Sequence, residues 1–335
     1  MQAAPHISRR RMLQLTAAAC GTLLLPAGAR TEARHLKPVT WRGVALGAPA
    51  EIKLYAESEA AARPVLQRTV TEIRRLEAVF NLYVVSSALS RLNREGELHH
   101  PPLDLVRLVS TAKGVSAATG GAFDPTIQPL WTLYAAHFAH NPHAHTGPNS
   151  SALAHAVSRV DCRAVTVAED LIAFGKQGMA LSLNGIAQGY ITDRVADILR
   201  GHGFEHVLVN LGEIRALGSH PTGRPWNVAI DTGDHGAHER TLTLSSRAVA
   251  TSAPHATPIG AAGRAHHLFN PRDGSCANFH KSMTVTAATA TLADAYSTAF
   301  AVMPWEKVKT VADARSDLHV HALDLRGAWR TAGRG

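Results

Sequence analysis

Val207-Leu208-Val209-Asn210-Leu211-Gly212 begins the part of the chain that decides the fold. Its first three residues form a short β-favouring run that stops at turn residues. Runs of the same kind recur at 226–230, 242–244, 249–251 and 283–286. Most of these runs do not alternate between apolar and polar residues. The second half of the chain is therefore predicted to be rich in buried β-strands.

Helical patterns surround this β-rich half. Apolar residues recur at helical spacing in 58–80 and in 103–118, and the second pattern ends at Gly120-Gly121. Further elements are predicted as helices at 187–199, at 291–303 and after Pro304, and as strands at 165–167 and 319–325. No internal repeat is present in the sequence. The mixture of helices and mainly non-alternating strands predicts an α+β fold.

Two segments carry no regular pattern. Residues 30–50 are interpreted as a polar lead-in that contains Pro and Gly. Residues 137–149 are rich in His, Pro, Gly and Asn and are predicted to be an exposed insertion. Neither segment is expected to contribute to the core.

Composition places the chain among globular proteins. Its 335 residues are 45% apolar and 18% charged, which is enough for one large domain or two modest ones and excludes a disordered or fibrous chain. The formal charge of +8 is not concentrated in Lys/Arg runs interleaved with aromatic residues, so no nucleic-acid partner is expected.

The N-terminal segment is typical of an export signal. Arg9-Arg10-Arg11 precede an uncharged stretch at 13–25 and the small residues of Pro26-Ala27-Gly28-Ala29. The paired arginines favour the twin-arginine route, with 1–29 removed and the mature protein in the periplasm. Cys20 lacks the aliphatic neighbour of a lipoprotein signal, so we expect its removal with the peptide. Cys162 and Cys276 remain, either as one disulfide or as two thiols, and the mature protein is not expected to span a membrane.

Asp294 and Thr298 lie four residues apart in a predicted helix, so their side chains share one face. A carboxylate and a hydroxyl are oxygen ligands that suit Mg²⁺, which needs few protein ligands when a phosphate supplies the others. The same spacing also fits an acid that favours a helix N-terminus and a hydroxyl with no ligand. For this spacing alone, the second interpretation is favoured.

Seven segments of the chain resemble, in order and spacing, motifs of the ApbE family of FAD:protein FMN transferases. They are Phe80-Asn81-Leu82-Tyr83 with Leu89-Ser90-Arg91-Leu92-Asn93, Gly120-Gly121-Ala122-Phe123-Asp124-Pro125-Thr126, Leu183-Asn184-Gly185-Ile186-Ala187-Gln188-Gly189-Tyr190, Val209-Asn210-Leu211-Gly212-Glu213-Ile214-Arg215, Val249-Ala250-Thr251-Ser252, His267-Leu268-Phe269-Asn270-Pro271-Arg272-Asp273-Gly274 and Leu292-Ala293-Asp294-Ala295-Tyr296-Ser297-Thr298-Ala299. The resemblance implies a single ApbE-like, T-fold-related domain over 38–330, with a mixed or antiparallel sheet and packed helices.

The resemblance also implies an activity and its site residues. A target Thr or Ser hydroxyl would attack the FMN-side phosphorus of FAD, and AMP would leave. The implied metal ligands for Mg²⁺ are Asp294, Thr298 and the carbonyl of Gly185, and His267 is the candidate proton acceptor. The implied FAD-binding positions are Tyr83, Gly121, Ala122, Phe123, Ser182, Gln188, Thr251, Ser252 and Leu268.

Three residues depart from the family pattern. Ser182 stands in place of an aspartate, Gln188 in place of a lysine and Asn270 in place of an aspartate. The first change removes a charged acceptor near the flavin, and none of the three touches the implied metal ligands. The phrase at 184–194, the Asn210 to Arg215 segment and the twin-arginine leader most resemble the NosX-type branch. That branch implies a NosR-type partner, the periplasmic flavin-accepting domain of a membrane electron-transfer protein that serves nitrous oxide reduction.

Two other functions remain open at this stage. A protein of the same fold could bind or hydrolyse FAD, with water in place of the target hydroxyl. The histidines at 137, 140, 143 and 145 suggest a copper-handling accessory protein, although such clusters in an exposed segment are usually solvated.

Overall fold

The structure, a computed structural model, describes residues 36–230, 232, 240–260 and 265–334. The predicted export signal at 1–29 lies outside these residues. In the described part of the chain there are eight α-helices. They are α1 Glu59–Phe80, α2 Ala88–Glu95, α3 Leu103–Ala118, α4 Gln128–His140, α5 Ser150–Val157, α6 Ala187–Gly201, α7 Ala290–Ala301 and α8 Trp305–Asp313.

Fifteen β-strands accompany these helices in the same residues. They are β1 Lys37–Ala45, β2 Ala48–Ala56, β3 Glu97–His99, β4 Val165–Val167, β5 Leu171–Phe174, β6 Val207–Asn210, β7 Ile214–Leu217, β8 Trp226–Ile230, β9 Arg240–Leu244, β10 Ala248–Ser252, β11 Pro258–Ile259, β12 Ala265–His266, β13 His280–Ala287, β14 His319–Asp324 and β15 Trp329–Ala332.

Eight of the strands form the central sheet, in the order β1-β2-β6-β7-β10-β13-β14-β15. Every neighbouring pair in it is antiparallel. Three small sheets, β3-β5-β4, β8-β9 and β11-β12, lie outside it and are antiparallel too. The predicted α+β fold is confirmed, and the sheet is antiparallel rather than mixed.

The central strands are buried on both faces, which explains why their sequences do not alternate. On β10, Ala248 and Ala250 pack into the main core with the helices, whereas Val249 packs into a second cluster with Trp226 and Val228 of β8. Helices α6 and α7 contact the sheet from one side and the β8-β9 hairpin covers the other. Period-two alternation is lost where no face meets water.

Periodicity predicted the first and third helices well. Ser58 caps α1 by accepting a hydrogen bond from the Ala61 N–H at 3.2 Å, and Leu66, Ile73 and Leu76 are buried along its inner face. Helix α3 has the predicted bounds, and the chain leaves it through Gly120 and Gly121, both at positive φ. A helix-ending pair of glycines adopts this conformation without steric cost.

The interpretation of residues 30–50 as a lead-in is wrong for its described part. Residues from Lys37 onward form the β1-β2 hairpin, which turns at Leu46 and Gly47, both at positive φ. Its polar residues belong to the largely exposed side of an edge strand, while β1 and β2 contact α1. A further strand, β15, follows the predicted last strand and pairs with it.

The His-rich segment does not begin where we predicted. His137 and His140 belong to the last turn of α4, and the His137 ring contacts the carbonyl oxygen of Thr146 at 3.0 Å. His143 and His145 are exposed, as expected. The irregular segment therefore starts only after His140 and ends at the start of α5.

Candidate active site

The candidate site forms where α6 and α7 meet. Gly189, in the first turn of α6, approaches α7 so closely that a Cβ atom on it would lie 2.3 Å from the carbonyl oxygen of Ala290. The Gly189 N–H donates a hydrogen bond to Asp294 Oδ2 at 3.0 Å. The carboxyl predicted from the sequence as a metal ligand is thus held at the helix contact, where its side chain is buried.

The other two predicted metal ligands lie next to each other. A Cβ atom on Gly185 would be 2.8 Å from Thr298 Oγ1, so the turn before α6 passes directly over the Thr298 hydroxyl. Ser252 Oγ lies 2.8 Å from Ser297 Oγ and 3.3 Å from Thr298 Oγ1. The structure therefore brings Gly185, Thr298 and the end of β10 together.

A second buried carboxyl lies close to Asp294. Burial raises the pKa of Glu213, and the negative charge of Asp294 raises it further, whereas the Thr251 N–H lowers it by hydrogen bonding. Burial likewise raises the pKa of Asp294, against the opposing hydrogen bond from Gly189. Neither carboxyl has a salt bridge to a basic side chain of the described residues. Two carboxyls in this setting gain stability from a proton or from a cation.

The donor set fits a divalent cation. Asp294, Thr298 and Gly185 supply oxygen atoms, which Mg²⁺ prefers, and a divalent charge would match the two carboxyls. The described residues contain no group of three or more His, Cys, Asp or Glu side chains that could hold a metal ion. A site with this few protein ligands suits Mg²⁺ that also binds a phosphate. It does not suit a cage made of protein ligands alone.

The predicted flavin-binding loop at Gly121, Ala122 and Phe123 is tied to two other predicted segments. Arg272 Nη2 donates a hydrogen bond to the Gly120 carbonyl at 3.1 Å. The Ser182 N–H donates to the Pro125 carbonyl at 2.7 Å. Three motifs distant in sequence therefore converge. Within the loop, the Phe123 side chain is buried. The space that a Cβ atom on Gly121 would occupy is open.

Tyr83 lies on the loop between α1 and α2, with 64% of its side chain exposed. Asn81 Oδ1 accepts hydrogen bonds from the N–H groups of Tyr83 and Val84 and so fixes the turn. Helix α2 connects the loop to the site, because the Asn93 side chain donates to the Leu181 carbonyl and accepts from the Leu181 N–H. The far end of α2 is thus joined to the segment that precedes Ser182, and the exposed Tyr83 ring is accessible to a ligand.

His267 follows β12, with its N–H bonded to the Thr257 carbonyl at 3.3 Å. Burial, and then the neighbouring His266, lower the pKa of His267 to about 4. The buried ring is therefore a weaker base than the unperturbed histidine on which the prediction of a proton acceptor was based. Its buried Nδ1 has no hydrogen-bond partner in the described part of the chain. The ring is neutral at pH 7 and has a nitrogen available to accept a proton.

The remaining predicted positions already have protein partners. Thr251 Oγ1 lies 2.9 Å from Thr284 Oγ1 across the β10-β13 pair. The Gln188 side chain donates to the Leu211 carbonyl at 3.4 Å, beside Gly212. Leu268 is buried, and its carbonyl accepts from the Ala277 N–H. Ser252 joins the hydroxyl cluster described above.

Four residues at or near the site were not predicted from the sequence: Glu213, Ser297, Asp193 and Arg215. Glu213 and Arg215 stand inside a quoted motif, and Ser297 inside another. Glu213 follows the predicted 207–209 strand in a turn, where an acid is usually exposed, so no signal marked it as buried. Asp193 gave no such signal because its position on a helix is equally compatible with solvent exposure.

Other features bear on the alternatives. Cys162 and Cys276 are free thiols, and burial raises the pKa of each. The pairing of these cysteines that the sequence left open is thus absent from the structure. Within the described ranges, no helix has the length and apolar character needed to cross a bilayer.

Comparison with known proteins agrees with the sequence motifs. A family model described as the ApbE family matches residues 46–322. The chain is 29% identical over 243 residues to a FAD:protein FMN transferase of Klebsiella pneumoniae, covering 70% of this chain and 72% of that protein. It is 26% identical over 306 residues to one of Haemophilus influenzae, covering 87% of each.

Solved structures share the fold. The flavinyl transferase ApbE of Pseudomonas stutzeri, in its apo form, superposes with a TM-score of 0.77 at 24% identity, covering 89% of this chain and 95% of that one. The ApbE protein of Thermotoga maritima superposes with a TM-score of 0.76 at 26% identity, covering 88% of this chain and 97% of that one.

Proposed function

Because the chain belongs to the ApbE family, we propose that it is an FAD:protein FMN transferase. The observation that carries the proposal is the meeting of α6 and α7. There, Asp294 accepts a hydrogen bond from Gly189, Thr298 lies against the Gly185 turn, and the buried Glu213 carboxyl interacts electrostatically with Asp294. Relatives at 25–29% identity carry that activity in their names.

In this proposal Mg²⁺ is held by Asp294, Thr298 and the Gly185 carbonyl. When bound, it would neutralise the pyrophosphate charge of FAD that grows as AMP departs. Burial and the charge of Asp294 raise the pKa of Glu213, and a bound divalent cation would favour loss of its proton, which would place a second negative charge at the site. These residues bind and orient, as phosphoryl-transfer sites generally do, and form no covalent bond to the phosphorus.

The transfer step needs a proton acceptor for the target hydroxyl. The hydroxyl oxygen forms a bond to the FMN-side phosphorus, the bond from that phosphorus to the bridging oxygen breaks, and AMP leaves. We assign the proton to the neutral imidazole of His267. The low pKa of this ring keeps it neutral and receptive, although it makes His267 a weaker base than an ordinary histidine.

The FAD would lie along the converging loops. Gly121, Ala122 and Phe123 would line it with backbone, and Tyr83 would contact the flavin ring. Ser182, Gln188, Thr251, Ser252 and Leu268 complete the proposed set. The glycine loop permits close approach of backbone to the ligand, since no side chain intervenes there.

The acceptor and the compartment rest on the sequence alone. The twin-arginine pattern at Arg9 to Arg11 supports a periplasmic protein, and the NosX-type motifs support a role in nitrous oxide reduction. The acceptor would be the periplasmic flavin-accepting domain of a NosR-type membrane protein. A target Thr or Ser on that domain would carry the FMN.

A direct assay combines the protein lacking 1–29 with FAD, Mg²⁺ and the candidate acceptor domain. Transfer predicts covalent flavin fluorescence on the acceptor band in a denaturing gel, together with AMP released in equal amount. AMP and free FMN that form at the same rate without the acceptor would identify a hydrolase instead. FAD left intact, with copper bound at 137–145, would favour the copper-handling alternative.

A further inference from the structure

One carboxylate of α6 caps the start of α7. Asp193 Oδ1 accepts a hydrogen bond from the Ala290 N–H at 2.8 Å. Its Oδ2 accepts from the Thr291 N–H at 2.8 Å and from the Thr291 hydroxyl at 2.6 Å. The next free N–H of the helix, that of Leu292, is capped by Thr289 Oγ1. Asp193 therefore satisfies two of the N–H groups that a helix start leaves without partners.

The cap forms half of a reciprocal connection between the two helices. Asp193 of α6 accepts from the first turn of α7, and Asp294 of α7 accepts from Gly189 in the first turn of α6. Asp294 lies about one turn beyond the capped residues. Two hydrogen-bonded contacts in opposite directions fix the distance between the two helices and prevent one from sliding along the other.

Arg215 of β7 contacts Asp193, one of the two acids in this connection. Its Nη1 is 3.7 Å from Asp193 Oδ1, and only 11% of its side chain is exposed. Its Nε and Nη1 have no hydrogen-bond partner among the described residues, and the side chain forms an ionic contact with Asp193. Glu213 lies two residues before Arg215, in the turn that leads into β7. Burial raises the pKa of Asp193, and the positive charge of Arg215, on the strand that directly follows Glu213, opposes this rise.

We propose that Asp193, supported by Arg215, is a positioning residue for the metal site. The proposal rests on the proposed function. Asp193 holds α6, and with it the Gly185 turn that leads into α6, in line with Asp294 and Thr298 on α7. It touches neither the metal nor FAD. Groups that orient metal ligands in this way typically contribute about 10- to 100-fold to metal affinity.

The test is a titration of metal-free protein with Mn²⁺ alone, followed by electron paramagnetic resonance, without FAD or acceptor. Asp193→Asn places an amide donor against the α7 N–H groups and is expected to weaken Mn²⁺ binding by about 10-fold or more. Asp197→Asn is the matched control, because it makes the same change four residues on, at a side chain that is 49% exposed. It should bind Mn²⁺ as the wild type does.

Thr291→Ala removes one of the three donors and is the milder variant if Asp193→Asn does not fold. It should weaken Mn²⁺ binding about threefold and leave the helix capped. Saturating Mn²⁺ should restore most of the FMN-transfer rate in both variants, since Asp193 does not contact the reacting atoms.

Unchanged Mn²⁺ affinity in both folded variants, even with a lower melting temperature, would overturn the proposal and leave Asp193 a structural cap only. Wild-type protein that binds no Mn²⁺ would overturn it as well. If the wild type binds Mn²⁺, Asp193→Asn does not, and no FMN is transferred, the positioning role stands and the proposed function fails.

Discussion

At the scale of single residues, the account depends on the buried Asp294 carboxyl. Asp294→Asn keeps the shape and the contact with Gly189 but removes the charge that would bind the cation. We expect the transfer rate to fall about 100-fold or more, because one positioned electrostatic group typically contributes that much. Thr298→Ala should cost less, since water can replace a neutral ligand. Steady-state rates at saturating FAD give the comparison.

The melting temperature of Asp294→Asn distinguishes a metal ligand from an acid that only stabilises the fold. Burial raises the pKa of Asp294, so an uncharged amide should leave the melting temperature of metal-free protein unchanged or higher. A clear drop in melting temperature, with the rate per folded molecule intact, would show that Asp294 serves the fold instead.

Ser182 gives a prediction for FAD binding. It stands where the family pattern has an aspartate, and its N–H is anchored to Pro125 beside the glycine loop. Ser182→Asp should tighten FAD binding by about 10-fold, because a hydrogen bond to a charged group contributes roughly 1.5–3 kcal/mol. Fluorescence titration measures it, with Asn184→Asp as control at an exposed neighbour. Unchanged or weaker affinity would place Ser182 outside the flavin pocket.

His267 gives a prediction for pH. Its pKa is lowered from the ordinary histidine value to about 4 in the folded protein, so the unfolded chain binds more protons between pH 6.5 and 4. The associated stability is present above pH 6.5 and is lost as pH falls towards 4. His267→Asn cannot take up this proton, and its unfolding free energy should fall less over that interval, by on the order of 1 kcal/mol. Identical pH profiles in urea titrations would contradict the burial of His267.

At the scale of elements, the contact of α6 with α7 is the most sensitive part of the fold. Gly189→Ala would place a Cβ atom 2.3 Å from the Ala290 carbonyl oxygen, so the helices must separate. We expect a loss of about 1–3 kcal/mol or more in unfolding free energy, measured by urea denaturation. Gly201→Ala, in the same helix with open space around it, should be neutral or slightly stabilising.

If Gly189→Ala and Gly201→Ala have the same unfolding free energy, the close approach of the two helices is not important for stability. If Gly189→Ala folds normally but loses Mn²⁺ binding, the contact serves the site more than the fold. Either result would separate the energetic role of the helix pair from its role in alignment.

The elements also show what sequence can predict. Helices α1 and α3 have one buried face each, so their apolar residues keep a helical period and their bounds were predicted closely. The β1-β2 hairpin was missed because its polar residues, Pro and Gly suggested a loop. The interaction of Glu213 with Asp294 was also missed, because it depends on how α6 and α7 pack on the central sheet, and no local pattern predicts such a contact.

At the scale of the whole molecule, the export signal gives a prediction that concerns residues outside the described part of the chain. The protein isolated from the periplasm should begin near Arg30. N-terminal sequencing or intact mass measures this. A chain that retains 1–29, or one that starts at a lipidated Cys20, would contradict the twin-arginine interpretation.

The central claim is that this chain moves FMN from FAD to a protein with the help of a divalent cation at Asp294. Intact-mass spectrometry of the acceptor domain tests it most directly, after incubation with the protein lacking 1–29, FAD and Mg²⁺. The account predicts an FMN-sized mass increase that disappears when Mg²⁺ is chelated and when Asp294→Asn replaces the wild type. An acceptor of unchanged mass, while FAD is split to FMN and AMP, would contradict it.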